Sequence, residues 1–199
     1  MKVIILGGFL GSGKTTFLLQ FAPFLATYSN KDPSVVILEN EISMTDVDTK
    51  LLKSRNLTVR NIAAGCICCT SSASLPISVE MIWKEYDPEY LIIEATGMAY
   101  PDTIAQTIEE ENHLPVTVAI LADASRWQRL NRAMPDFVQG QLKRADAVFL
   151  NKTDMVEQGI VDQIYANLAQ TVKAPIFPIR AKESIDPNTL NYLIGRHPQ

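Results

Sequence analysis

The feature that most constrains this 199-residue chain is a glycine-rich segment near its start, Gly7–Thr16, which follows an apolar run, Val3–Leu6. The phosphate-loop pattern G-x-x-x-x-G-K-S/T runs from Gly8 to Thr15. Its glycines let backbone N–H groups fold around a polyphosphate at the N-terminus of a helix. Lys14 is expected to reach the β- and γ-phosphates as a catalytic group, and Thr15 to ligate Mg²⁺. The residues expected to hold the nucleotide here are Gly11, Ser12, Gly13, Lys14, Thr15 and Thr16.

Apolar segments alternate with helical patterns along the chain, which predicts an α/β fold with a mostly parallel, doubly wound sheet flanked by helices. The predicted strands are Val3–Leu6, Val35–Glu39, Thr58–Ile62, Tyr90–Glu94, Val116–Leu121, Ala147–Leu150 and Ile176–Ile179. The predicted helices are Thr15–Ala26, Ser74–Glu85, Asp102–Glu110, Arg126–Arg132, Asp136–Arg144, Val156–Ala169 and Asn188–Ile194. Ligands of such sheets bind beyond the carboxyl ends of the strands, so we expect one shared site there. We expect a single P-loop NTPase domain over residues 1–199.

Composition narrows the classes of partner. The net charge of −4 and the isoelectric point near 5.2 argue against a nucleic-acid-binding surface. No apolar run approaches the roughly 20 residues of a membrane span, so we expect no membrane partner and a cytoplasmic location. In that compartment the three cysteines are expected to be free thiols, redox groups or metal ligands instead of disulfides.

The tetrad Asn151-Lys152-Thr153-Asp154 follows a predicted strand and indicates which base is bound. A carboxylate at Asp154 can accept hydrogen bonds from both N1–H and the N2 amine of guanine, a donor pair that adenine lacks. The stem of Lys152 can lie over the base while Asn151 braces the loop. The tetrad therefore predicts GTP. The pair Ala181-Lys182 either gives backbone contacts to the base or forms an ordinary turn.

Acidic residues after three strands are candidates for the hydrolytic step. Glu94 ends an apolar strand, where a carboxylate can hold Mg²⁺ or orient the attacking water, and Gly97 lets the next loop approach the γ-phosphate. Glu41, in a predicted switch loop, is a second catalytic candidate, with a solvated acid as the alternative. Asp123 is either a helix N-cap or a catalytic part.

Two tryptophans and one basic helix face have simpler interpretations. Trp83 and Trp127 fall in helical patterns and are expected to pack in the core or between a helix and the sheet. The basic face is expected to be solvated, with a protein-partner site as the alternative, and it consists of Arg126, Arg129 and Arg132.

All three cysteines lie within four residues, at Cys66, Cys68 and Cys69. Thiolates are soft ligands that suit Zn²⁺ or Cu(I), and three on one ion leave a fourth position open, as capture and transfer require. Redox-active thiols and simple packing are the alternatives. The two histidines, His113 and His197, have no ligand spacing relative to the cysteines.

These motifs together resemble the CobW-type metallochaperone GTPases, relatives of the urease and hydrogenase nickel-insertion GTPases. The resemblance rests on Gly7–Thr16, Asn40-Glu41, Gly65–Cys69, Glu94–Gly97 and Asn151–Asp154, in the family's order over roughly residues 1–180. It implies slow GTP hydrolysis coupled to delivery of Zn²⁺ or cobalt to a client metalloprotein, with the three thiolates as metal ligands. It also implies a GTP-dependent homodimer.

The chain departs from that family in two respects. Family members usually continue into a C-terminal domain, which we do not expect within residues 1–199. The segment 39–43 reads Glu-Asn-Glu-Ile-Ser, where the family tends to have Asn-Glu-Phe-Gly. Rival interpretations are a nucleotide-gated regulator or metal sensor with little turnover, a chaperone of a corrinoid enzyme, and an ATP-using enzyme, which Asp154 disfavours.

Overall fold

A computed structural model describes residues 1–39, 57–61 and 74–195, in which strands alternate with helices. The strands are β1 (Lys2–Gly7), β2 (Val35–Glu39), β3 (Leu57–Asn61), β4 (Tyr90–Glu94), β5 (Val116–Asp123), β6 (Ala147–Asn151) and β7 (Ile176–Pro178). The α-helices are α1 (Lys14–Ala26), α2 (Ser74–Tyr86), α3 (Pro101–Asn112), α4 (Trp127–Ala133), α5 (Pro135–Leu142), α6 (Gln158–Thr171) and α7 (Pro187–Asn191). Two 3₁₀ turns are also present, Thr153–Met155 and Tyr192–Ile194.

The strands form one seven-stranded sheet in the order β3-β2-β4-β1-β5-β6-β7, and every neighbouring pair is parallel. The parallel arrangement brings all carboxyl ends to one edge. β1 lies between β4 and β5, with Leu6 beside Glu94 and Gly7 beside Ile120. Asp123 and Asn151 are paired in register at the ends of β5 and β6. The loops after β1, β4, β5 and β6 therefore surround one site.

Helices cover both faces of the sheet, which is why its inner strands are continuous apolar runs. Side chains alternate between the faces, so Val3 and Ile5 join one core while Ile4 and Leu6 join the other. On the face that carries Ile4 and Leu6, α1 packs against the sheet through Phe17 and the other buried side chains of its inner surface. Packing on both faces therefore fixes the position of the strands, and with them the carboxyl ends that surround the site.

The observed fold confirms the predicted α/β class and all seven strands, with ends that differ by at most two residues and Ile62 outside the described residues. The last predicted helix divides into α7 and the 3₁₀ turn Tyr192–Ile194. The prediction for Trp127 is confirmed, since it is buried. The prediction for Trp83 is wrong: its residue is 42% exposed, because the inner face of α2 is formed by Leu75, Val79 and Ile82. None of the described helices has the length and apolarity needed to cross a membrane.

Candidate nucleotide-binding site

The phosphate loop, defined here as Gly8–Thr15, connects β1 to α1 through a backbone that requires glycine. Gly8, Gly11 and Gly13 have φ values of 129°, 72° and 101°, which side-chain-bearing residues rarely adopt. Space is equally restricted, since a Cβ on Gly8 would lie 2.3 Å from the Leu121 carbonyl oxygen. Gly13 is the N-cap of α1 and provides no side-chain cap. The first N–H groups of α1 are thus left to bind an anion, as phosphate loops do.

Lys14 begins α1 and is buried. Its Nζ donates to the carbonyl oxygens of Gly8, at 3.0 Å, and Phe9, at 3.4 Å. The ammonium group is therefore folded against the phosphate loop, at the place from which a phosphate-binding lysine acts.

Thr15 and Glu94 are brought together from α1 and the end of β4. The Thr15 hydroxyl donates to Glu94 Oε1 at 3.0 Å. A hydroxyl oxygen beside a carboxylate oxygen is the donor set that Mg²⁺ prefers. The two residues predicted to hold Mg²⁺ are thus adjacent, although they are 79 positions apart in the chain.

Three side chains hold successive carbonyl groups of the phosphate loop. Arg126 Nη2 donates to Leu10 O at 2.7 Å, Lys152 Nζ to Gly11 O at 2.7 Å, and Asn151 Nδ2 to Ser12 O at 2.8 Å. In a trans peptide the C=O and the following N–H point in opposite directions. Carbonyls held by these side chains therefore turn the N–H groups of Gly11 and Gly13 the opposite way, whereas the Ser12 N–H donates to the Phe9 carbonyl oxygen at 3.0 Å.

The Asp123 carboxylate links two of these three side chains and is itself fully buried. Its Oδ2 accepts from Arg126 Nε at 2.8 Å and Lys152 Nζ at 2.7 Å, and its Oδ1 accepts from the N–H and the hydroxyl of Ser125. Burial by itself raises the pKa of Asp123, but the hydrogen bonds from Lys152, Ser125 and Arg126 outweigh it, so that the pKa is lowered. The predicted helix N-cap role is wrong, because the N-cap of α4 is Arg126.

Arg126 also differs from its prediction. Arg129 and Arg132 are exposed, as expected of a solvated face, whereas Arg126 is partly buried and bound to the phosphate loop. The signal available in the sequence is its position three residues after Asp123, where a turn brings the two side chains together.

On the base side, Asn151 braces two loops, as predicted. Besides holding Ser12, its Oδ1 accepts from the N–H groups of Lys152, at 2.8 Å, and Ala181, at 2.9 Å. The Ala181 N–H is thus engaged by Asn151. Asp154 lies exposed in the 3₁₀ turn Thr153–Met155, beyond the end of β6, where a carboxylate can face an incoming base.

The post-β4 loop, defined here as residues 95–100, lies against the phosphate loop. A Cβ on Gly97 would lie 2.4 Å from the backbone nitrogen of Leu10, so only glycine allows this approach. Gln141, a buried residue of α5, donates from Nε2 to the carbonyl oxygens of Gly97 and Ala99, both at 3.1 Å. The sequence interpretation missed Gln141; the signal was an amide directly before Leu142 in the apolar pattern of α5.

Several predicted residues lie outside the described part of the chain. They are Glu41, Cys66, Cys68 and Cys69, and their roles stay predictions. Within residues 1–39, 57–61 and 74–195 no group of three or more histidine, cysteine or carboxylate side chains is placed to hold a metal ion. His113 ends α3 in a left-handed conformation and is exposed.

Comparison of the sequence with curated proteins finds zinc chaperones. The chain is 30% identical over 191 residues to the zinc chaperone YjiA of Escherichia coli, covering 90% of this chain and 57% of that protein. It is 27% identical to zinc-regulated GTPase metalloprotein activator 1 of Dictyostelium discoideum, covering 82% of this chain and 42% of the relative. The chain thus spans about half the length of the curated relatives it matches.

Solved structures share the fold. The hydrogenase maturation factor HypB of Archaeoglobus fulgidus superposes with a TM-score of 0.74 at 14% identity, covering 98% of this chain and 89% of that one. Zn(II)-bound YjiA GTPase of E. coli superposes with a TM-score of 0.63 at 23% identity, covering 96% and 60%. The family described as "CobW/HypB/UreG, nucleotide-binding domain" matches residues 2–177. The phosphate loop, the Thr15–Glu94 pair and the Asn151 tetrad all fall within that match, and the chain belongs to the CobW/HypB/UreG nucleotide-binding domain family.

Proposed function

We propose that this chain is the GTP-binding and GTP-hydrolysing part of a metallochaperone that delivers a transition metal to a client protein. The observation that carries the proposal is the convergence of a glycine-dependent phosphate loop, the Thr15–Glu94 pair and the Asn151–Asp154 tetrad at one edge of the sheet. Similarity to proteins named zinc chaperones supports the same proposal.

Guanine specificity is assigned to Asp154. The carboxylate would accept from N1–H and the N2 amine, while Lys152, which is held by Gly11 and Asp123, covers the base with its stem. A base without those donors would leave the carboxylate unpaired, which is how hydrogen-bonding sites discriminate strongly.

The hydrolytic step is assigned to groups around the γ-phosphate. Thr15 and Glu94 would hold Mg²⁺, which neutralises developing charge on the phosphates, and Lys14 would exchange its bonds to Gly8 and Phe9 for phosphate oxygens. Glu41 is proposed as a further acid at this site, and Gly97 as the point where the post-β4 loop meets the γ-phosphate.

The cargo is proposed to be Zn²⁺, or alternatively Co²⁺, bound by Cys66, Cys68 and Cys69. Thiolate softness favours zinc, as do the names of the relatives. The cysteines follow β3, which ends at the same sheet edge as the nucleotide site. Nucleotide state would thus change metal affinity, and by linkage the metal would change GTP affinity by the same factor. A GTP-dependent homodimer is part of the proposal.

The test is a competition titration of Zn²⁺ against a chromogenic chelator under anaerobic conditions, with Mg²⁺ and either a non-hydrolysable GTP analogue or GDP. We expect zinc affinity to differ between the two nucleotides and to vanish when all three cysteines are replaced by serine. Phosphate release from GTP is measured on the same protein and is expected to be lost in Glu94→Gln. Equal affinity with both nucleotides would contradict the coupled carrier and favour a static metal site.

A further inference from the structure

The post-β4 loop contains a buried hydroxyl group whose hydrogen bonds are unmade. Thr96 is 8% exposed, and its Oγ1 has no hydrogen-bond partner among the described residues. Burying a hydroxyl without a partner costs free energy, so such groups are uncommon in folded proteins. This one therefore needs an explanation.

Other threonines of the chain show what an ordinary threonine hydroxyl does here. Within the described residues, several donate to a nearby backbone carbonyl group at 2.7 to 3.2 Å: Thr27 to Phe24, Thr107 to Thr103, Thr153 to Ile179 and Thr171 to Asn167. The Thr96 hydroxyl makes no such bond to any described residue, while the Thr96 carbonyl oxygen accepts from the Ala99 N–H at 3.1 Å. The Thr96 hydroxyl thus contributes no hydrogen bond that holds its own loop together within the described residues.

The position of Thr96 connects this hydroxyl to the nucleotide. Two residues earlier, Glu94 accepts from Thr15, the pair assigned to Mg²⁺. One residue later, Gly97 lies against the backbone of Leu10 in the phosphate loop. Thr96 is therefore placed between the proposed metal pair and the phosphate loop, where the γ-phosphate and the attacking water would meet.

We propose that the Thr96 hydroxyl orients the attacking water in GTP hydrolysis, an inference that rests on the proposed function. The water oxygen forms a bond to the γ-phosphorus while the bond from that phosphorus to the β–γ bridging oxygen breaks. GDP leaves, and the water gives up its protons to inorganic phosphate and solvent. Thr96 accepts a hydrogen bond from the water and is unchanged by the reaction. No group among the described residues occupies this hydroxyl, which leaves it available for that role.

The test is Thr96→Val, which keeps the shape of the side chain and removes the hydroxyl. We expect the single-turnover rate at saturating GTP to fall by about a hundred- to a thousand-fold, the range for loss of one positioned hydrogen-bonding group. Affinity for a non-hydrolysable GTP analogue should change less than about twofold, because the water is not part of ground-state binding. Thr96→Ser should restore most of the rate. The nucleotide-free Thr96→Val protein should melt at the same temperature as the wild type or higher, since an unpaired buried hydroxyl has been removed.

The matched control is Thr117→Val, at the start of β5 and thus at the opposite edge of the sheet from the site. It should leave turnover and analogue affinity unchanged. Equal turnover in wild type and Thr96→Val would overturn the inference and leave the proposed GTPase standing. So would a rate loss matched by an equal loss of analogue affinity, or a fall in melting temperature without rescue by serine. Absence of turnover in the wild-type protein would overturn the proposed function and this inference together.

Discussion

The two loops that meet at the nucleotide site are held in opposite ways. The phosphate loop is fixed by charged and amide side chains from the last residue of β6 and from the residues just after β5 and β6, which hold its carbonyl groups one after another. The post-β4 loop is held by a neutral amide, Gln141. Each loop also has one buried hydroxyl, Ser12 or Thr96, without a hydrogen-bond partner among the described residues, so the two loops differ in the side chains that hold their carbonyl groups. The site therefore has a preorganised half, which suits binding, beside a half with fewer polar restraints, which suits a response to the γ-phosphate.

Strand order explains the difference. β1 has β5 and β6 on one side, and the register pairs Asp123 with Asn151 at their ends. Those two side chains, with the residues that follow them, face the phosphate loop together. On the other side β1 meets β4, whose end supplies Glu94 to Thr15, and the chain then continues directly as the post-β4 loop.

The largest effect is expected from Gly13→Ala, which breaks the preorganised half. A Cβ at Gly13 would lie 2.3 Å from Asn151 Nδ2, and its φ of 101° is strained for alanine. Asn151 would have to release Ser12, and strain of this kind costs about 1–3 kcal/mol before that bond is counted. We expect affinity for GDP and the GTP analogue to fall at least about a hundred-fold, measured by titration with a fluorescent nucleotide.

The control for this substitution is Gly159→Ala, since no atom of the described residues lies within 4 Å of a Cβ built at Gly159 in α6. Alanine is there expected to raise stability by about 0.5–1 kcal/mol, because it is the better helix former, and to leave nucleotide affinity unchanged. Near-normal binding by Gly13→Ala would show that the phosphate loop is adaptable and would remove the contrast between the two loops.

A smaller effect is expected from Asp123→Asn, which keeps the shape of the buried carboxylate and removes its charge. Arg126 and Lys152 would lose their shared counter-charge, and hydrogen bonds to charged groups contribute about 1.5–3 kcal/mol each. We expect nucleotide affinity to fall about ten- to a hundred-fold. Asp87→Asn is the matched control, since Asp87 forms an exposed pair with Lys31 and its loss should not measurably change affinity or stability.

The Asp123 carboxylate is also expected to make the free energy of unfolding depend on pH. The pKa of Asp123 is lower in the folded protein than its ordinary value of about 3.9, so its stabilisation is fully present above that value. It is lost as the pH falls through the folded pKa. Denaturant unfolding should therefore show a constant difference between wild type and Asp123→Asn from pH 7 to 5, which shrinks below about pH 4. A difference that grows on acidification would contradict the assigned charge state.

Much of the fold and part of the candidate site could be predicted from the sequence, because both depend on local patterns. Continuous apolar runs mark strands buried on both faces, and the phosphate-loop pattern contains its own turn glycines, strand and helix. Since the carboxyl ends of parallel strands meet at one edge, the proximity of Glu94 to Thr15 also followed. These features need no knowledge of how distant side chains pack.

What could not be predicted depends on side-chain direction. Arg126, Arg129 and Arg132 look alike in the sequence, but Arg126 is the N-cap residue of α4 and is turned inward by Asp123. Trp83 looks like a core residue by type, yet its neighbour Ile82 takes the buried position on α2. In both cases the direction in which the side chain leaves the helix decides whether it is buried or exposed. Residue type alone does not determine that direction.

The smallest effect is expected from Gln141→Leu, which removes the hydrogen bonds that hold the post-β4 loop. The variant removes two neutral hydrogen bonds, each worth about 0.5–1.5 kcal/mol. It also leaves the carbonyl groups of Gly97 and Ala99 without these partners. Leucine offsets part of the lost stability by packing beside Val138 and Leu142. We expect a net destabilisation of about 1–2 kcal/mol in denaturant unfolding. Because the phosphate loop keeps its own restraints, nucleotide affinity should change less than about threefold, while hydrolysis slows as the post-β4 loop loses its position.

Gln158→Leu, which removes an exposed amide bound to Asp162 on α6, is the matched control and should alter neither nucleotide affinity nor the rate of hydrolysis. Loss of affinity in Gln141→Leu as large as in Asp123→Asn would mean that the two loops form one rigid unit, and that the site has no responsive half.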